Sequence, residues 1–193
     1  MDDELHERPL RVVAVSGSLQ TPSKTTALVR EIAEAVAARR AADVHLIEVT
    51  DVAPSLAGAV RRDQLPEAAE AELRRIESAD LLIAGTPIYR ATFTGLFKHL
   101  FDFVGQYSLV DVPVLLAATG GSDRHALTIE HQLRPLFGFF QALTLPIGVF
   151  ASDRDFVDYR VADPDLLERI GVAADRAIPL LGPRPVELHP SRW

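Results

Sequence analysis

The chain is 193 residues long, 48% of them hydrophobic, and its 20 basic and 27 acidic side chains give a net charge of −7. This length is enough for one domain with a sizeable core. The absence of cysteine excludes disulfides, thiolate catalysis and cysteine-ligated metal, and the acidic balance argues against nucleic-acid binding. No segment reaches the ~18 apolar residues of a membrane span, and the acidic N-terminus is unlike a secretory signal. We therefore expect a cytoplasmic protein with no membrane partner.

Five short apolar segments predict β-strands, and longer segments with helical periodicity separate them. The predicted strands are residues 12–15, 44–49, 81–84, 114–118 and 145–150. The second is more polar than the others, which is typical of a strand at a sheet edge. Apolar spacings of three and four predict helices around residues 28–36, 66–76, 97–104 and 163–181. We expect 151–162 to be a polar loop and 182–193 an extended tail.

A further helix, from about residue 122 to 141, should be irregular near His131. Pro135 has no amide hydrogen to donate to the His131 carbonyl, and its ring crowds that carbonyl. The helix must therefore kink or widen there. Wide turns of this kind are often found at functional sites; the alternative is an ordinary proline kink with His131 as a bystander.

The order of elements is a strand followed by a helix, five times over. Right-handed crossovers make this a doubly wound α/β parallel sheet. Five strands fit the flavodoxin-like order 2-1-3-4-5 better than the six-stranded dinucleotide fold. The sequence thus predicts a single flavodoxin-like domain over residues 1–193, with its core at 11–181.

Ligands in such sheets bind beyond the carboxyl ends of the strands, so the loops 16–26, 86–94 and 119–123 belong together. The first is rich in serine and threonine, carries Lys24 and leads into a helix. That composition suits a phosphate monoester at a helix N-terminus; the alternative is that its hydroxyls merely cap the helix. The second loop is apolar and aromatic, as a flat ring requires. The third has Gly120 and Gly121, which let a ligand approach the backbone. Either loop could instead be a tight turn.

Three stretches of the chain carry a resemblance to a known family. They are Ser16-Gly17-Ser18 through Ser23-Lys24-Thr25, then Thr86-Pro87-Ile88-Tyr89 with the following Phe93, Gly95, Lys98 and Asp102, and finally Thr119-Gly120-Gly121-Ser122 leading to Leu133-Arg134-Pro135-Leu136. They are similar to the phosphate loop, the isoalloxazine loop and the glycine turn of the flavodoxin-like NAD(P)H-dependent FMN reductases. The resemblance covers roughly residues 11–181. It is strongest to the reductases that supply alkanesulfonate and methanesulfonate monooxygenases.

The resemblance implies a set of contacts with FMN. The flavin phosphate would lie among Ser18, Gln20, Ser23, Thr25 and Thr26. The ring would be flanked by Pro87, Ile88, Tyr89 and Arg90 on one side and by Thr119, Gly120 and Gly121 on the other. Similar reductases have an aromatic residue or histidine at the position of His131, in a widened turn at the subunit contact, so His131 is a candidate modulator of flavin exchange.

The resemblance further implies that NADH or NADPH passes a hydride to flavin N5, with no catalytic acid or base from the protein. It also implies a homodimer or homotetramer and a monooxygenase that receives the reduced flavin. The six histidines show no metal-ligand spacing, so no metal is expected. Three alternatives stay open: an NAD(P)H:quinone or azo reductase that retains FMN, a flavodoxin-type electron carrier, and a non-catalytic partner module.

Overall fold

A parallel β-sheet forms the centre of the protein, which the computed structural model describes over residues 8–182. Its strands are β1 (Leu10–Ser16), β2 (Ala42–Glu48), β3 (Leu81–Pro87), β4 (Pro113–Gly120), β5 (Leu143–Thr144) and β6 (Val149–Ser152). The order is β2-β1-β3-β4-β5. Strand β6 also pairs with β4: β5 pairs with the start of β4, and β6 pairs with its carboxyl end. The predicted flavodoxin-like fold and strand order are confirmed.

Helices cover both faces of the sheet. They are α1 (Lys24–Ala37), α2 (Val49–Leu56), α3 (Glu67–Glu77), α4 (Gly95–Asp102), α5 (Arg134–Phe139) and α6 (Pro164–Ala177). Side chains alternate along each strand, so Val12 and Ala14 pack under α1 and α6, whereas Val13 and Val15 pack under the other four helices. No helix within residues 8–182 is long and apolar enough to cross a membrane.

The predicted boundaries need correction at the second and fifth strands. The second strand spans 42–48, and Val49 already begins α2, a helix that the sequence analysis does not predict. In place of the predicted strand 145–150 the structure has two short strands, 143–144 and 149–152, because Pro146 has no amide hydrogen for the ladder. Gly148 lies between them, where a Cβ atom would approach Ile129 to 2.6 Å.

The segment 151–162 is more ordered than the predicted loop. A 3-10 turn, Asp153–Asp155, leads into a hairpin of β7 (Phe156–Val157) and β8 (Arg160–Val161). The carboxylate of Asp155 accepts hydrogen bonds from the Ser152 amide at 2.7 Å and hydroxyl at 3.2 Å, which closes the turn. The predicted tail lies outside the described residues, except for Gly182.

The predicted irregularity near His131 is confirmed. A 3-10 turn, Asp123–His125, is followed by a π-helix, Ile129–Leu133, and then by α5. The Arg134 amide bonds to the carbonyl of Ile129, five residues earlier. The widened turn thus contains His131 and ends just before Pro135, whose missing donor and bulky ring disfavour regular α-helical bonding there.

The phenylalanines that follow β3 belong to the core. The side chains of Phe97, Phe101 and Phe103 are buried, and the rings of Phe97 and Phe101 lie 4.8 Å apart. Phe101 also meets Phe137 of α5 edge-on at 5.0 Å. This cluster joins α4 to α5 and therefore gives no indication of a subunit contact.

Candidate functional site

A cleft of about 270 Å³ opens beyond the carboxyl ends of β1, β3, β4 and β6. This is the edge at which ligands bind in doubly wound sheets. Its lining includes nine of the twelve predicted site residues: Ser18, Gln20, Ser23, Thr25, Pro87, Ile88, Thr119, Gly120 and Gly121. The fold thus brings together the three loops that the sequence analysis grouped.

The loop after β1 ends at the N-terminus of α1. The Ser23 hydroxyl accepts a hydrogen bond from the Thr26 amide at 3.1 Å and so caps the helix. The amides of Lys24 and Thr25, the first two helical residues, pair with no acceptor in the described chain. Two free donors at the positive end of a helix dipole form an environment suited to an anion.

A pair of threonines connects α1 to β4 at one side of the cleft. The hydroxyl oxygens of Thr25 and Thr119 lie 2.6 Å apart, and both side chains are almost entirely buried. A hydroxyl has one hydrogen to donate, so when one of the two donates to the other, the second keeps its hydrogen for another acceptor. The pair therefore ties α1 to the sheet and still offers one donor beside the helix N-terminus.

Thr26 is the first predicted site residue that the structure places elsewhere. Its hydroxyl lies 2.8 Å from the Ser16 hydroxyl and donates to Glu48 Oε2 at 3.2 Å, so it faces β2 rather than the cleft. Neighbouring residues at the start of a helix point about 100° apart. Thr25 therefore lines the cleft, whereas Thr26 contacts Ser16 and Glu48.

The loop after β3 contributes its first residues but not its tip. Pro87 and Ile88 line the cleft, and the Ile88 amide donates to the Thr119 carbonyl at 2.7 Å. Tyr89 and Arg90 do not line it: Tyr89 bridges to Thr92, and its side chain is 54% exposed. Arg90 has φ +52° and stacks on the Tyr89 ring at 5.5 Å. The tip is a tight turn whose two side chains are exposed to solvent.

The two glycines after β4 differ in their surroundings. A Cβ atom at Gly120 would lie 3.2 Å from the Phe150 ring, whereas one at Gly121 would meet no atom within 4 Å. A side chain at Gly120 would therefore require the Phe150 ring to shift by a few tenths of an ångström. Gly121 presents bare backbone to open space, and its amide pairs with no acceptor in the described chain. A flat ring can approach the backbone at this point.

Four further residues line the cleft: Pro22, Lys24, Asp153 and Tyr159. Asp153 and Tyr159 come from the turn and hairpin after β6. Neither residue was predicted for the site, although the rule about carboxyl ends applies to the last strand as it does to the first, third and fourth. Lys24 Nζ lies 2.7 Å from Asp153 Oδ1, so the two sides of the cleft mouth are joined by an ion pair.

His131 lies outside the cleft and is exposed. The π-helix that carries it is nevertheless linked to the loop after β3, because the Thr92 hydroxyl donates to Gln132 Oε1 at 3.0 Å. The hydrogen bonds from Arg134 lower the pKa of Glu130, which keeps this carboxylate charged beside His131.

The cleft offers helix amides, hydroxyls and one lysine at one end, and Pro87, Ile88 and open backbone at the other. This donor set suits a phosphate joined to a flat, largely apolar ring. FMN has both parts, so the residues present fit this group.

Comparisons with known proteins agree with this fit. A family model for NADPH-dependent FMN reductase matches residues 10–156. The chain is 58% identical to the NADH-dependent FMN reductase SfnE of Pseudomonas putida over 174 residues, which is 90% of this chain and 94% of that protein. It is 51% identical to an FMN reductase (NADPH) of Pseudomonas aeruginosa over 176 residues, 91% of this chain and 95% of that protein. Among solved structures, the apo form of the NADH:FMN oxidoreductase EMOB matches with a TM-score of 0.81 at 30% identity, covering 92% of this chain and 93% of that one. The chain therefore belongs to the NADPH-dependent FMN reductase family.

Proposed function

We propose that this protein takes FMN as an exchangeable substrate, reduces it with NADH or NADPH in the cytoplasm, and releases it to a flavin-dependent monooxygenase. The reductase activity follows from family membership and from the named FMN reductases at 51% and 58% identity. The binding mode, the release and the monooxygenase partner are the parts that require experiment.

The observation that carries the binding mode is the pair of unpaired amides at Lys24 and Thr25, beside the Thr25–Thr119 hydroxyl pair that keeps one donor available. We place the flavin phosphate there and the ring between Ile88 and Gly121. When bound, FMN supplies the hydride acceptor, and the nicotinamide supplies the hydride. The residues of the chain bind and orient: hydroxyls and amides hold the phosphate, Pro87 and Ile88 give apolar contact, and the Gly121 amide is a donor for the ring edge.

The exposure of the phosphate end supports release. The single lysine of the lining is a third exposed, and the neighbouring Gln20 carries no charge. Fewer charge-assisted hydrogen bonds mean weaker retention of the phosphate. An exchangeable flavin is what a reductase that supplies a separate monooxygenase requires.

The test is NADH or NADPH oxidation at 340 nm, with and without added FMN, on protein that has been desalted. We expect rates that rise with added FMN and a protein that loses its yellow colour on desalting. If the colour stays and a quinone or azo dye alone sustains turnover, the protein is instead a reductase that retains FMN.

We also propose that the protein assembles as a homodimer or homotetramer through the segment around the π-helix and α5. Leu127 and Phe139, near the two ends of this segment, are 63% and 60% exposed. Exposed apolar side chains of this size favour a protein contact. Sedimentation of the wild type and of Phe139→Ser checks this: the variant should shift toward the monomer, and an unshifted distribution places the contact elsewhere.

A further inference from the structure

We propose that Asp153 is a built-in competitor of the flavin phosphate. In the free enzyme its carboxylate forms an ion pair with Lys24, and the FMN phosphate must replace that carboxylate as the partner of Lys24. This inference rests on the proposed phosphate position at the start of α1. It assigns to one residue the control of how readily FMN exchanges.

The ion pair is positioned for such competition. Lys24 is the first residue of α1, beside the unpaired helix amides, and its Nζ lies 2.7 Å from Asp153 Oδ1. Both residues line the cleft. The Asp153 side chain is 66% exposed and that of Lys24 33%. An exposed pair of this kind contributes little to folding, so its partners can exchange at low cost.

Asp153 is held in place by its neighbours rather than by the ion pair. Asp155 closes the turn through Ser152, as described above. Arg154 also donates to Asp123 Oδ2 at 2.6 Å, but both side chains are exposed, so this pair adds little to the closed turn. Neither contact uses the Asp153 carboxylate. The backbone that carries Asp153 therefore keeps its position at the cleft mouth when Lys24 turns to another anion.

The charges in the cleft predict that Asp153 weakens the binding of a phosphate. A phosphate monoester carries about −1.5 to −2 charge at pH 7. Lys24 and Asp153 are the two charged side chains of the described lining, and their charges cancel. A bound phosphate gains Lys24 but then lies beside a like charge, which weakens its binding. Riboflavin has no phosphate and does not meet this repulsion.

The experiment is to titrate the full-length Asp153→Asn variant with FMN and with riboflavin, following flavin fluorescence. We expect the Kd for FMN to fall about tenfold, which corresponds to ~1.4 kcal/mol, and the Kd for riboflavin to stay within about twofold. The gain should shrink at high ionic strength, because exposed charges are screened. KM for FMN should fall in parallel.

The matched control is Asp158→Asn. Asp158 is exposed at the tip of the same hairpin, does not line the cleft and has no ion pair among the described residues. This variant makes the same change in net charge and should leave FMN affinity unchanged. An equal gain for both variants would indicate a general charge effect and overturn the role of Asp153.

A second background tests the competition for Lys24. Lys24→Gln should weaken FMN binding, and adding Asp153→Asn to it should recover less than the tenfold gain seen in the wild-type background. The inference is overturned if Asp153→Asn leaves FMN affinity unchanged, or changes FMN and riboflavin alike. Either result with normal FMN-dependent NADH oxidation removes this inference alone, whereas FMN-independent oxidation by the wild type removes the proposed function.

Discussion

The two ends of the sheet each carry an ion-pair cluster, and the clusters differ in almost every respect. At the amino end, the buried carboxylate of Asp80 accepts hydrogen bonds from Arg8 at 2.7 and 2.9 Å and from Arg11 at 3.1 and 3.3 Å. It also accepts the Arg11 amide at 2.8 Å. At the carboxyl end, Lys24 and Asp153 share one contact at the edge of an open cleft.

The difference shows how the same kind of interaction serves two purposes. A buried carboxylate has lost its water, so it must be saturated with donors and is then unavailable to a ligand. An exposed pair contributes little to stability and can change partners. In this protein, the amino end of the sheet holds the strands together, and the carboxyl end keeps unpaired donors at the proposed phosphate position.

The largest effect is expected at the amino end. Asp80→Asn should lower the free energy of unfolding by roughly 2–4 kcal/mol, because it removes charge-assisted hydrogen bonds from a buried group. Arg8 and Arg11 are about one third exposed and can regain water, which limits the loss. Urea unfolding measures it. Asp153→Asn is the matched control and should change stability by less than about 0.5 kcal/mol; equal losses would contradict the contrast between the two ends.

The same cluster predicts how stability depends on acid. Burial alone would raise the pKa of Asp80, but the hydrogen bonds from Arg8 and Arg11 outweigh burial and lower it well below the ordinary value of about 3.9. A carboxylate with a lowered folded-state pKa stabilises the protein fully above its unfolded pKa. Its contribution should therefore be present above about pH 5 and lost as the pH falls below about 4. Unfolding curves at several pH values check this, and Asp80→Asn should show a weaker dependence across that range.

At the carboxyl end, we expect binding to change more than stability. Thr25→Val keeps the shape of the side chain but removes a hydroxyl at the proposed phosphate position, together with its hydrogen bond to Thr119. FMN should bind about tenfold more weakly, as expected for a lost charge-assisted hydrogen bond, while riboflavin binding changes little.

Thr26→Val is the matched control for that variant. It makes the same change one residue along, but its hydroxyl faces Ser16 and Glu48. It should affect stability and leave FMN affinity near that of the wild type. If both variants weaken FMN equally, the phosphate does not lie at the cleft face of α1.

The smallest effect is expected at His131. His131→Ala should leave the fold intact and change KM for FMN or kcat by about threefold, equivalent to ~0.6 kcal/mol, because the π-helix contacts the loop after β3 through Gln132 and Thr92. The control is His45→Ala, which removes a histidine from the edge strand β2. Unchanged FMN affinity, kinetics and oligomer size would show that His131 is structural only.

Local patterns in the sequence were sufficient for the sheet, its strand order and the loops that line the cleft. Buried parallel strands need continuous apolar segments, and helices need apolar stripes, so both leave a signal within a few residues. The irregular turn at His131 was also predictable, because the cause, Pro135, lies four residues away. Nine of the twelve residues predicted for the site meet in one cleft for the same reason: strand ends of known order share an edge.

Contacts between distant segments decided the rest. Whether Thr25 or Thr26 faces the cleft depends on how α1 rotates against the sheet, and this is set by packing across β1, β3 and β4. The pairing of Lys24 with Asp153 joins residues 129 positions apart, and a single sequence carries no periodic signal for such a contact. Tyr159 reaches the cleft because the segment after β6 folds into a hairpin that the sequence analysis treated as a loop. Side-chain direction and long-range charge pairing arise from tertiary packing, which is why they had to be read from the structure.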